Sequence, residues 1–239
     1  MTDVYIVQKL ENNKDIIVNV PGSKSITNRA LMLAALSDGE CNLDGVLFSD
    51  DSRAFLDCLE KLGFQLFIDE NEKRVKVVGT SGKIPNRKAT IDVRSAGTAA
   101  RFLTVMLAVT GGEYTLNSSE QMKKRPMGEI IDLIRSAGVK ISCLEEEGHF
   151  PFIISSNGLD KKEVSINTDT SSQYASALLM AAVMTGLKIK LTGKRVNGAY
   201  IKITLNMLKQ FGIKYVQAEE NKYNIEKQSF RLEKYQIEP

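Results

Sequence analysis

The chain has 239 residues, 43% of them hydrophobic and 26% charged, with a formal net charge of +3. Such a composition can bury a substantial core and argues against a disordered or low-complexity chain. A charge this small, with the lysines spread along the sequence, leaves no basic patch for nucleic acid, although an anionic metabolite fits. Cys41, Cys58 and Cys143 form no CxxC pair and His149 is the single histidine, which argues against a disulfide framework and a zinc site.

The opening stretch "MTDVYIVQKLENNKD" has no basic start followed by an apolar run, and no segment approaches the length that crosses a bilayer. These features predict a reduced, soluble, cytoplasmic protein without a membrane partner. Beyond them the elements repeat in chain order. A strand ("DIIVNV") leads through the polar loop "GSKSITNR" into the apolar helix "NRALMLAALS" and a short strand; the amphipathic helix "DDSRAFLDCLEKLG" and the strands "FQLFIDE" and "RVKVVGT" follow. The second unit runs "ATIDV", "RSAGTAAR", "RFLTVMLAVT", "RPMGEIIDLIRSAG", "VKISCLE", "FPFIISS". The third runs "EVSIN", "TDTSSQYA", "YASALLMAAVM", "AYIKITLNMLKQFG", "IKYVQAE", "KYNIEK".

The helix-ending glycines Gly63, Gly138 and Gly212 recur at intervals of 75 and 74 residues, the spacing of a repeat architecture. Each unit reads β-α-β-α-β-β, over about 14–80, 88–157 and 162–228, and no Pro/Gly/Ser-rich linker separates them. The pattern predicts one α/β domain with three-fold pseudosymmetry, apolar helices inside and sheets outside.

The loops entering the inner helices align at Ser23, Gly97 and Ser171, spaced by 74 and 74 residues. Three-fold packing brings these helix starts together, and each presents free backbone N–H groups with partial positive charge, a setting for anions. Any one loop alone reads as a helix cap rather than a ligand site. Lys24, Arg29, Arg101 and Gln173 beside them point to a ligand, because caps need no such cations and amide.

"PGSKSITNRALMLAALS" resembles the opening motif of the enolpyruvylshikimate phosphate synthases (3-phosphoshikimate 1-carboxyvinyltransferases). "SAGTAARF", "KKRPM", "DTSSQYASALLMAA" and "AYIKITLNML" are similar to further family stretches, in family order. The resemblance implies half of an inside-out α/β protein: residues 1–13 as a strand belonging to the other domain, 14–228 as the three-repeat domain, and 229–239 as a crossover toward a missing C-terminal domain. It implies transfer of enolpyruvate from phosphoenolpyruvate to the 5-hydroxyl of shikimate 3-phosphate, through a tetrahedral intermediate, in chorismate and aromatic amino-acid biosynthesis. No metal or organic cofactor is implied, and the full-length protein is expected to be a monomer.

Carried over by position, Lys24 corresponds to the lysine contacting both substrates, and Ser25 and Arg29 to the pair at the shikimate carboxylate. Ser171, Ser172, Asn197 and Tyr200 correspond to further shikimate 3-phosphate contacts, and Gln173 to the glutamine between the substrates. Gly97, Thr98, Arg101 and Arg125 correspond to the phosphoenolpyruvate side. Asn197 stands where the family commonly has a serine, and Phe102 where many relatives have a proline. Asp50 and Asp51 also match the family, but acids at a helix start read as a cap interacting with its dipole; Asp169 reads as a cap of the third inner helix. His149 reads as a loop residue and Cys58 as core.

The sister enzyme that transfers enolpyruvate to UDP-N-acetylglucosamine would give the same repeats, but typically carries lysine-asparagine at Lys24-Ser25 and a reactive cysteine in the loop before Arg125. Here "GGEYTLNSSEQMKKR" has none. The other alternative is a substrate-binding half with no catalysis of its own, because the chain stops at "YQIEP" while the family is about twice as long; the chain alone is expected to be inactive.

Overall fold

The structure is a computed structural model and describes Ile6, Ile17, Val18 and residues 20–239. The strand expected within residues 1–13 lies outside the described residues apart from Ile6, as do three of the six residues of "DIIVNV".

Three apolar helices form the centre: α1 (Lys24–Leu36), α3 (Gly97–Thr110) and α6 (Ser172–Ala181, continued by a 3-10 turn at Ala182–Met184). All are apolar around most of their circumference, so only a fully enclosed position satisfies them, and Leu31, Leu33, Leu103, Leu107, Leu178 and Leu179 are almost wholly buried. The amphipathic helices α2 (Asp50–Lys61), α5 (Gly128–Ser136) and α7 (Ala199–Gln210) bury one stripe each: Phe55 and Leu59, Ile130 and Ile134, Thr204 and Leu208. A single-turn helix, α4 (Glu120–Lys123), precedes α5. Each amphipathic helix ends at a glycine with positive φ: Gly63 at 88°, Gly138 at 95° and Gly212 at 76°. A residue with a Cβ is strained there, which is why glycine recurs at this position of the repeat.

Sheets enclose the helices. The first contains β1 (Asp38–Asp44), β2 (Leu66–Asp69) and β3 (Arg74–Thr80); the second, β4 (Lys88–Asp92), β5 (Gly112–Asn117), β6 (Lys140–Cys143) and β7 (Phe152–Ser156). The third contains β8 (Glu163–Asn167), β9 (Leu187–Thr192), β10 (Val216–Glu219) and β11 (Lys222–Ile225). The second sheet is ordered β4-β5-β7-β6 and the third β8-β9-β11-β10, and in both the leading strand is parallel to its neighbour. The fold is therefore the repeated α/β architecture read from the sequence.

The first sheet takes its leading strand from the other end of the chain. A strand within the segment expected to be a crossover, β12 (Lys234–Gln236), pairs parallel with β1 through Asn42↔Lys234 and Asp44↔Gln236, giving the order β12-β1-β3-β2. Side-chain alternation explains the capture. Tyr235 and Ile237 are buried while Lys234 faces out, its Nζ 2.8 Å from Asp44 Oδ2. The Tyr235 hydroxyl donates to Gln210 Oε1 at 2.8 Å. The same segment anchors the first polar loop, since Ser23 N–H donates to the Glu238 carbonyl at 2.8 Å.

Candidate functional site

Lys24 opens α1 and is exposed, with Nζ 3.6 Å from Asp51 Oδ1. The acids of α2 are not its cap. Ser49 caps that helix in a reciprocal box with Ser52, leaving Asp50 and Asp51 as first-turn acids, and Asp51 faces the lysine. Ser25 is half-buried one residue further on.

Gly97 opens α3 between two arginines. A Cβ built on it would stand 2.8 Å from Arg125 Nη1 and 2.9 Å from Arg101 Nη1. The guanidiniums can come this near the backbone because glycine leaves the space empty. Arg101 donates from Nη1 to the Gly97 carbonyl at 2.9 Å and lies 5.4 Å from the centre of the Tyr174 ring. Tyr174, buried, donates its hydroxyl to the Pro126 carbonyl at 2.9 Å and so fixes the turn that carries exposed Arg125. Burial holds the Tyr174 phenol above its ordinary pKa, keeping it a donor. Among the described residues, neither Arg101 nor Arg125 is in an ion pair. Arg101 Nε is buried without a hydrogen-bond partner.

In the third loop Ser171 is the cap of α6, its hydroxyl accepting from Gln173 N–H at 3.3 Å, and Ser172 begins the helix. Gln173 donates from Nε2 to Thr98 Oγ1 at 3.0 Å, which joins the second and third helix starts. Asp169 is not a cap: its carboxylate accepts from the Lys194 N–H at 2.8 Å. Asn197 does not offer its amide to the helix starts either, because Nδ2 donates to Glu220 Oε1 at 2.8 Å. A carboxylate in that place disfavours an anion. Tyr200, on the first turn of α7, is 49% exposed and remains at the surface of the site.

Arg29, expected with Ser25 at a ligand carboxylate, is only 1% exposed. One helical turn from Ser25, it points inward and donates from Nη1 to the Ser25 carbonyl at 2.9 Å, from Nε to Thr204 Oγ1 at 2.8 Å and from Nη2 to Ser176 Oγ at 2.9 Å. Nη2 also reaches the Tyr200 carbonyl at 3.4 Å, and the Phe102 and Tyr200 rings flank the guanidinium at 5.4 and 5.7 Å. Burial lowers its pKa to about 10. Sequence reasoning passed over Ser176, Thr204 and Tyr174. The available signal was a hydroxyl at each i+4 position, Ser172 to Ser176 and Tyr200 to Thr204, on helix faces otherwise suited to the interior.

Arg101 and Arg125 thus meet at Gly97, which is joined through Thr98 to Gln173 beside Ser171 and Ser172, a set that fits phosphate and carboxylate groups, while Lys24 and Ser25 open the remaining inner helix. Among the described residues no His/Cys/Asp/Glu group has the makings of a metal site, and no helix is long and apolar enough to cross a membrane.

The family described as EPSP synthase (3-phosphoshikimate 1-carboxyvinyltransferase) matches residues 9–239, and the chain belongs to that family. A 3-phosphoshikimate 1-carboxyvinyltransferase of Trichormus variabilis is 35% identical over 240 residues, covering 99% of this chain and 56% of the relative. One from Neisseria meningitidis is 42% identical over 208 residues, covering 85% of this chain and 47% of the relative. An EPSP synthase structure from Acinetobacter baumannii superposes with a TM-score of 0.78 at 22% identity, over 92% of this chain and 49% of that one, and shows the shared fold. The chain spans about half the length of the relatives it matches.

Proposed function

We propose that this chain is the shikimate 3-phosphate-binding half of a carboxyvinyltransferase that moves the enolpyruvyl group of phosphoenolpyruvate to the 5-hydroxyl of shikimate 3-phosphate. The observation that carries the reading is Gly97, bare between two guanidiniums and tied through Thr98 to Gln173 of the next repeat. One anionic substrate fits on the Gly97, Arg101 and Arg125 side. The other fits on the Lys24, Ser25, Ser171, Ser172 and Tyr200 side. Gln173 stands between, so the two loops that hold the two reactants move together.

The chemistry divides along the same line. Attack of the 5-hydroxyl on the enolpyruvyl carbon needs the reactants aligned and the phosphate charge balanced while a tetrahedral intermediate forms and inorganic phosphate departs. Cations and helix N-termini supply that balance here. Proton transfer needs a free acid or base, and in the first and third loops Asp51 and Asp169 face Lys24 and the Lys194 N–H. On this reading the chain binds substrates and does not turn them over alone; the proton-transfer groups come from a further domain, and the complete protein works as a cytoplasmic monomer.

Titration of the isotope-labelled chain with shikimate 3-phosphate tests this. The amides of Ser25, Ser171, Ser172 and Gln173 should shift together and saturate. Shifts confined to one loop, or none at millimolar ligand, would refute it.

A further inference from the structure

We propose that Ser176 and Thr204 are positioning residues for Arg29, two neutral hydroxyls that grip one edge of its guanidinium and leave its charge for a ligand carboxylate. The inference rests on the proposed shikimate 3-phosphate reading, whose ligand carries such a carboxylate.

The geometry is a closed triangle. Arg29 Nε meets Thr204 Oγ1 at 2.8 Å, Arg29 Nη2 meets Ser176 Oγ at 2.9 Å, and the two hydroxyl oxygens lie 2.9 Å apart. Nε and Nη2 are the parallel prongs with which arginine ordinarily takes a carboxylate in bidentate fashion. Here α6 and α7 each supply a hydroxyl to that edge, closing it to a ligand. One Nη1 proton goes to the Ser25 carbonyl at 2.9 Å. The other Nη1 proton has no partner among the described residues.

The partner chemistry matters as much as the distances. Ser176, Thr204 and Arg29 are all buried, and among the described residues no carboxylate pairs with Arg29. A cation held for stability alone would gain from a carboxylate partner, or be replaced by an apolar residue at little loss. Hydroxyls fix direction without neutralising charge. They keep a costly buried cation available, and the ligand carboxylate meets it through one Nη1 proton and the field of the group.

The test compares the wild-type chain with Thr204→Val, Thr204→Ser and Ser176→Ala, using shikimate 3-phosphate, shikimate and inorganic phosphate as separate probes. Thr204→Val and Ser176→Ala should weaken shikimate and shikimate 3-phosphate by about tenfold, the loss of one charge-assisted hydrogen bond. Thr204→Ser should restore the affinity, and inorganic phosphate, which has no carboxylate, should bind all four equally. Unchanged shikimate 3-phosphate affinity in a folded Thr204→Val chain overturns the proposal, as does an equal loss of inorganic phosphate affinity. A ligand-free readout separates it from the functional reading: hydrogen exchange of the Arg29 Nε–H should accelerate in Thr204→Val and return in Thr204→Ser. Failure of wild type to bind shikimate 3-phosphate removes the functional reading. Unaltered exchange removes the hydroxyl grip.

Discussion

Gln173 donates its side-chain amide to the Thr98 hydroxyl at 3.0 Å, across 75 residues of chain, and so couples the helix starts of two repeats. A neutral hydrogen bond of this kind contributes about 0.5–1.5 kcal/mol net. Gln173→Ala and Thr98→Val should therefore be non-additive in denaturant unfolding, with a coupling in that range. Additivity to within about 0.3 kcal/mol would mean that the two loops are held independently.

Gly97→Ala separates the site from the fold. The added methyl group meets only the far ends of two flexible side chains, Arg125 Nη1 at 2.8 Å and Arg101 Nη1 at 2.9 Å, so the arginines withdraw and the core is untouched. The unfolding midpoint should stay within a few degrees of wild type, because Gly97, although buried, has no positive φ and the added methyl group displaces only side-chain ends while alanine favours the helix. Affinity for phosphoenolpyruvate should fall by about tenfold or more as charge-assisted contacts lengthen. Lost stability with intact affinity would assign the arginines to the fold.

How far the sequence discloses all this depends on how local the cause is. Gly63, Gly138 and Gly212 are legible because each terminates its own helix, and the inner helices because their apolar circumference needs no partner to be recognised. The place of β12 is not legible. Three residues of alternation become a strand only because β1 has an open edge almost two hundred residues earlier. Arg29 misleads for a related reason. At a helix start an arginine reads as a group offered to the loop, and its burial depends on Ser176 and Thr204, both arriving from the third repeat. Asn197 likewise reads as a free donor until the hairpin that carries Glu220 folds beside it.

Lys24 and Asp51 form a partly exposed pair at the site, 3.6 Å apart with half of the lysine side chain in solvent. Exposed pairs contribute little to stability, so Lys24→Ala should change the unfolding free energy by less than roughly 0.5 kcal/mol while weakening phosphate binding. Asp51→Asn should do the reverse at the ligand, strengthening phosphate binding by releasing the lysine. Both effects should shrink as ionic strength rises. A salt-independent difference would point to altered helix packing instead.

The cysteines provide a check on the core that is independent of any ligand. Cys41 in β1 and Cys58 in α2 are 0% and 1% exposed, whereas Cys143 at the end of β6 is half-buried. Burial pushes the thiols of Cys41 and Cys58 up from 9.0 to about 12. The thiolate is the reactive species, so at pH 8 a thiol reagent should modify Cys143 rapidly and the other two only after unfolding. A Cys143→Ser variant should show no rapid phase. The sign for stability follows from the same shift. Between 9.0 and about 12 the unfolded chain releases these protons while the folded chain keeps them, so the contribution is present in full below 9.0 and is lost as pH rises toward 12. The urea midpoint should accordingly fall above pH 9, and fall less when Cys41 is replaced by alanine; a midpoint rising over that interval, or two fast-reacting thiols in the native chain, would contradict the enclosed core.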